Sequence, residues 1–173
     1  MGRKLALLIA NSIYQDTNLS HLTTPEADVD ALAKVLRDPD IGSFDEIETL
    51  KNEAIRTIMM AIARFFAKKK RDELLLLYFS GHGFVDEPGN LYLAGSDTDH
   101  EWLSATAIPS KFINDHMRES SSKQKVLILD CCYSGAFTLG TKGQAGKAVH
   151  TANRFKLRVL GCWTPSALIS IAR

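Results

Sequence analysis

The stretch Leu74-Leu75-Leu76-Leu77-Tyr78-Phe79, running straight into Ser80-Gly81-His82-Gly83, decides how this chain is read. Apolar residues in an unbroken run mark a strand covered on both faces, as in a parallel sheet flanked by helices. The same pattern recurs at Val126-Leu127-Ile128-Leu129, which runs into Asp130-Cys131-Cys132-Tyr133-Ser134-Gly135. A histidine and a cysteine leaving adjacent strand ends would face one another in the crevice at the carboxyl edge of an open α/β sheet, where such folds place their ligands.

Outward from these runs, strands and helices alternate. Residues 4–10 read as a first strand. Pro25 opens a helix with Thr24 as its N-cap, and Asp38-Pro39-Asp40 stops it. Residues 44–50 form a weaker strand, and Asn52 is expected to cap a helix carrying Ile55, Ile58, Met59, Ile62, Phe65 and Phe66 at helical spacing. Strand 73–79 delivers the histidine, 90–93 is a minor strand, Pro109 begins a helix through Met117, and 125–129 delivers the cysteines. Parallel neighbours need crossover connections, so the fold class is α/β, a three-layer α/β/α sandwich with a mainly parallel central sheet. Past residue 138 the pattern weakens. Gly140, Gly143 and Gly146 mark a flexible loop, 157–162 suits a fifth strand, and an apolar tail covers 167–172. No sixth strand with a covering helix is evident, so the domain is expected to be incomplete at its C-terminal side.

At 173 residues, 45% of them hydrophobic and 24% charged, the chain suits a single globular domain over 1–173. A net charge of +1 gives no reason to expect nucleic acid or a membrane surface as partner. The run Lys68-Lys69-Lys70-Arg71 reads as a solvated helix end. The apolar stretch after Arg3 and Lys4 ends at Asn11-Ser12, too soon for a signal peptide or a membrane span. Three cysteines, two adjacent, make no disulfide framework, which fits a reducing compartment; the expected location is the cytoplasm.

The two loops carry compatible chemistry. A thiol attacks a carbonyl as its thiolate, and a neighbouring imidazole favours that form. Gly83 offers a backbone N–H to the resulting oxyanion, and the nucleophile's own N–H offers a second. His82 then protonates the departing amine, while Ser134-Gly135 supplies the tight turn that holds the thiol. Cys131 and Cys132 point to opposite sides of an extended segment, so one of them faces His82. A zinc site on the two cysteines and His82 lacks both the usual ligand gap and a fourth ligand. Cys131 and Cys162 are expected to be small buried hydrophobes; His21, His100, His116 and His150 have no partner motif and are expected on surfaces or helix faces.

The Ser-Gly-His-Gly loop and the Asp-x-Cys-x-Ser-Gly loop, each after a strand and in this order, resemble the caspase and metacaspase families over residues 4–137. The resemblance implies the caspase-hemoglobinase fold, with Cys132 as nucleophile, His82 as general acid/base and Gly83 as oxyanion donor. It also implies a specificity pocket. Asp130 matches the acidic position of the nucleophile motif, Pro25-Glu26-Ala27-Asp28 resembles the segment bearing a second pocket aspartate at Asp28, and Ser80 matches a polar pocket position. Such a pocket would take a basic side chain through charge-assisted hydrogen bonds. The implied activity is a cysteine endopeptidase cleaving proteins or peptides after Arg or Lys. In bacteria such domains are often effectors in signalling, defence or cell death, and a C-terminal remainder of the same protein would be a partner. The family's calcium dependence lacks support here, since Asp86-Glu87, Asp97 and Asp99 are too few for calcium's usual six to eight oxygens; no cofactor or metal site is expected. The alternative is a catalytically silent, caspase-shaped scaffold or interaction module.

Overall fold

The computed structural model describes residues 2–131 and, for the course of its backbone, 167–172. In chain order it contains β1 (Lys4–Ala10), α1 (Pro25–Arg37), β2 (Glu46–Lys51), α2 (Ile55–Phe66), β3 (Leu74–Ser80), β4 (Gly83–Val85) and β5 (Leu91–Leu93). A short helix α3 (Leu103–Thr106), β6 (Ile108–Pro109), α4 (Ser110–Glu119), β7 (Gln124–Asp130) and β8 (Ala167–Ala172) follow. The main sheet has the order β2-β1-β3-β7-β8, and β4-β5-β6 make a small second sheet. The first four main-sheet strands run parallel, as the unbroken apolar runs of β1, β3 and β7 predict, with the more polar β2 at the sheet's edge.

Side-chain alternation on the strands sorts the core into two layers. Leu5, Leu7 and Ile9 join Leu75, Leu77, Phe79, Leu127 and Leu129 under Ile58 and Ile62 of α2 and Ile113 and Met117 of α4. The intervening Ala6, Leu8 and Ala10 turn to the other face with Leu76 and Tyr78, against Val29, Ala33 and Leu36 of α1. The three-layer sandwich follows directly from this division. Lys125 is buried at the rim of the first layer, and its Nζ donates to the carbonyls of Met117, at 2.7 Å, and Ser120, at 3.3 Å, closing the end of α4.

Two expectations change. Asn52 does not cap α2: the cap is Ala54, and the first helical N–H, that of Ile55, donates to Asp97 Oδ1 at 2.7 Å. Asn52 instead takes a left-handed backbone, φ 54°, which turns its amide back toward the end of β1. The apolar tail forms β8, pairing antiparallel to β7 from Asp130↔Ala167 to Lys125↔Ala172. An antiparallel neighbour needs no crossover helix, so the missing helix signal was no bar to a strand. The expected loop past 138 and the strand at 157–162 lie outside the described residues, as do Cys162 and His150.

Candidate active site

The carboxyl ends of β3 and β7 lie side by side. Ser80 is in register with Asp130, and the Gly81 N–H donates to the Asp130 carbonyl at 3.3 Å. The histidine loop and the cysteine loop therefore leave the sheet from neighbouring points at its carboxyl edge, the expected place for a site in such a fold.

His82 is gripped from the loop that follows β1. Its Nε2 lies 2.8 Å from the Ser20 carbonyl oxygen. A carbonyl only accepts, so Nε2 carries the hydrogen and the neutral ring keeps its lone pair on Nδ1. The His82 N–H donates to the Tyr14 hydroxyl at 3.0 Å, which donates in turn to the Asn11 carbonyl at 2.7 Å. The Tyr14 ring also lies against the imidazole, with centroids 4.8 Å apart. Burial raises the Tyr14 phenol to about 12, so it is a neutral donor at any ordinary pH.

Gly83 opens β4 and pairs with Leu93. The bonds from Ala94 N–H to the His82 carbonyl and from Asp86 N–H to the Asn90 carbonyl fix the alternation of this antiparallel ladder. Gly83 falls at a position whose N–H turns away from β5. Beneath it sits Cys131, 2% exposed and part of the core between the sheet, α2 and α4. A β-carbon built on Gly83 would lie 3.0 Å from the Cys131 sulfur. Cys131 is thus the small buried hydrophobe expected of it. Cys132, the expected nucleophile, lies outside the described residues.

The three expected pocket residues gather on the α1 face of the sheet around a group that the sequence did not single out, the hydroxyl of Tyr78. Tyr78 donates to Asp130 Oδ2 at 3.3 Å. Burial above all, then the charge of Asp130 and more weakly that of Asp28, hold the phenol protonated, well above the ordinary tyrosine range. Asp28 and Asp130 are both half-buried. The charges of Asp28 and Asp130 thus both act on the Tyr78 hydroxyl, on the face of the sheet that α1 covers.

Three further contacts were invisible in the sequence. His100, expected to lack a partner, pairs through Nδ1 with Asp16 Oδ2 at 2.6 Å. Asp16 is held well below the ordinary carboxylate range by the backbone N–H groups of His100 and Asn18 and by the His100 ring. Asp16, Asp99 and His100 bring one ligand atom each within 4.8 Å of one another, the grouping among the described residues that could hold a metal ion. It supplies fewer oxygens than calcium usually takes. Asp97 and Asp86, weighed above for calcium, accept instead from the Ile55 N–H and from Asn90, so both serve local structure. His116 packs edge-on against the Phe112 ring on α4, and His21 is exposed, as expected. No helix among the described residues is long and apolar enough to cross a membrane.

Comparison with known proteins adds the following. The family model described as "Caspase domain" matches residues 3–159. Among solved structures, a Geobacter sulfurreducens protein determined as a structural-genomics target is similar with a TM-score of 0.60 and 16% identity, over 77% of this chain and 52% of the other. Pro-sf-caspase-1 is similar with a TM-score of 0.57 and 16% identity, over 86% of this chain and 54% of the other. The chain spans about half the length of these solved structures. At this identity they speak for the fold, which is the α/β sandwich described above. No curated protein matches the chain.

Proposed function

The chain belongs to the caspase family, and on that premise we propose that it is a cysteine endopeptidase working through Cys132 and His82, with cleavage after Arg or Lys. The observation that carries this reading is the bond between His82 Nε2 and the Ser20 carbonyl, 2.8 Å long. It leaves Nδ1 as the basic nitrogen, and an imidazole so poised is a general base in search of a proton. Cys131, buried under Gly83, is a poor nucleophile, which supports Cys132 as the thiol that donates that proton.

The reaction then runs in two halves. The Cys132 thiol proton passes to His82 Nδ1 as the sulfur bonds to the substrate carbonyl carbon. The negative oxygen takes hydrogen bonds from the backbone N–H groups of Gly83 and Cys132. As the oxyanion collapses, the C–N bond breaks and the imidazolium returns its proton to the leaving amine. Water, deprotonated by the same nitrogen, attacks the thioester; the acid departs and the sulfur recovers its proton. Asp28, Ser80 and Asp130 receive the basic side chain preceding the bond. In this reading residues 1–173 belong to one peptidase domain, an effector in bacterial signalling, defence or cell death acting on a protein substrate in the cytoplasm.

An arginyl chloromethylketone tests the assignment. Selective alkylation of Cys132, slowed at least tenfold in His82→Ala, is the expected result (a general base is commonly worth about 100-fold or more). Absence of selective alkylation, with partner binding intact, would make the domain a silent scaffold of caspase shape.

A further inference from the structure

Two groups of the loop after β1 hold His82, and only one of them is the Ser20 carbonyl. The second is Tyr14, 4% exposed, whose hydroxyl takes the His82 N–H and passes its own hydrogen to the Asn11 carbonyl. In a regular ladder the His82 N–H would bond to the carbonyl of Ala94, because Ala94 N–H already donates to the His82 carbonyl. The Asn11 side chain occupies that carbonyl instead, through Nδ2 at 3.0 Å. The chain therefore forgoes a ladder bond at the histidine and replaces it with a bond to a side chain. The hydroxyl also fits closely: a β-carbon on Gly81 would lie 3.1 Å from it.

We infer that Tyr14 is a positioning residue for His82, fixing the backbone through its hydroxyl and supporting the imidazole with its ring so that Nε2 stays on the Ser20 carbonyl. The inference rests on the reading of His82 as general base. Tyr14 and Ser20 belong to one loop, and that loop has its own anchor. Asn52 Oδ1 accepts from the N–H groups of Ser12, at 2.8 Å, and Ile13, at 3.0 Å. Its Nδ2 donates to Glu26 Oε1 at 2.8 Å, and the Ser12 hydroxyl reaches the same oxygen at 2.6 Å. Asn52 thus ties the base of the loop to the first turn of α1. Displacing a catalytic group by a fraction of an ångström is enough to slow chemistry without weakening substrate binding.

The test compares Tyr14→Phe and Asn52→Gly with the wild type, using a fluorogenic arginyl peptide, thermal unfolding and nitrogen NMR of the His82 imidazole. Phe keeps the ring and removes the hydroxyl, while Gly accepts the left-handed backbone of Asn52 and removes its amide. Tyr14→Phe is expected to lower kcat by about 10- to 100-fold, to leave KM within about twofold, and to replace the single Nε2–H tautomer by a mixture. Asn52→Gly is expected to act in the same direction more weakly, and it decides the matter should Tyr14→Phe not fold. Unchanged kcat and tautomer in the folded variants, with only the melting temperature lowered, would overturn the inference. Should the wild type cleave no peptide, the peptidase reading fails while the imidazole signals still decide whether Tyr14 positions the ring.

Discussion

Gly83 and Cys131 meet so closely that a β-carbon on the glycine would lie 3.0 Å from the cysteine's sulfur and 3.3 Å from its Cβ. This contact joins the start of β4 to the residue that follows β7.

Gly83→Ala should therefore separate the loops or strain them. Overpacking of this kind costs about 1–3 kcal/mol, and kcat/KM should fall at least about tenfold because the N–H proposed as oxyanion donor moves. Cys131→Ala should keep most of the activity, since that sulfur serves packing. The double variant Gly83→Ala with Cys131→Ala should recover activity relative to Gly83→Ala alone. Peptide kinetics on the three variants check this, and a double variant no better than Gly83→Ala would show that the clash is not the cause.

The pocket proposed around Tyr78 predicts a binding defect rather than a chemical one. Asp28→Asn or Asp130→Asn removes one charge from the pocket proposed to take the substrate's basic side chain. A charge-assisted hydrogen bond is worth about 1.5–3 kcal/mol, so KM for an arginyl peptide should rise by roughly 10- to 100-fold with kcat changed much less. Steady-state kinetics separate the two constants, and a loss confined to kcat would contradict the pocket.

The His100–Asp16 pair pins the loop that carries Tyr14 and Ser20, and its strength depends on pH. The hydrogen bond to Asp16 raises the His100 pKa, so that contribution is full below about 6.5 and fades as pH rises through the folded value. Asp16 is depressed by the bonds that it accepts from His100 and Asn18, so its contribution is present above about 3.9 and is lost only as pH falls toward the folded value. The gap in melting temperature between wild type and Asp16→Asn should be widest between about pH 4 and 6.5 and should narrow toward about pH 9. Thermal scans across that range measure it; a gap that widens with rising pH would refute the pairing.

How much of this was legible in the sequence depends on the kind of group involved. The strands β3 and β7 announced themselves, because Leu75 to Phe79 are buried on both faces and Val126 to Leu129 are buried on one and half-buried on the other, so neither needs polar alternation. Asp28, Ser80 and Asp130 were matched to a pocket by motif, whereas Tyr78, whose hydroxyl bonds to Asp130 and is acted on by the charge of Asp28, carried no motif to mark it. The Ser20 carbonyl could not be found this way, since every residue has a carbonyl and no residue type marks the one that matters. Tyr14 and His82 are 68 residues apart, and His100 and Asp16 are 84 apart, so no local pattern links either pair. Asn52 misled because a polar residue before an apolar helix usually reads as a cap, whereas here its left-handed backbone sends the amide to Ser12 and Ile13. The tail at 167–172 misled for a different reason, as a short apolar run fits helix and strand alike.

Cleavage of paired fluorogenic peptides differing only in Arg or Asp before the scissile bond, by wild type, Cys132→Ala and His82→Ala, tests the central claim most directly. Hydrolysis after Arg by the wild type, with a loss of about 1,000-fold or more in each variant, is the expected result, as when a nucleophile or its base is removed. Hydrolysis that survives in Cys132→Ala, or a wild type that prefers Asp, would contradict it.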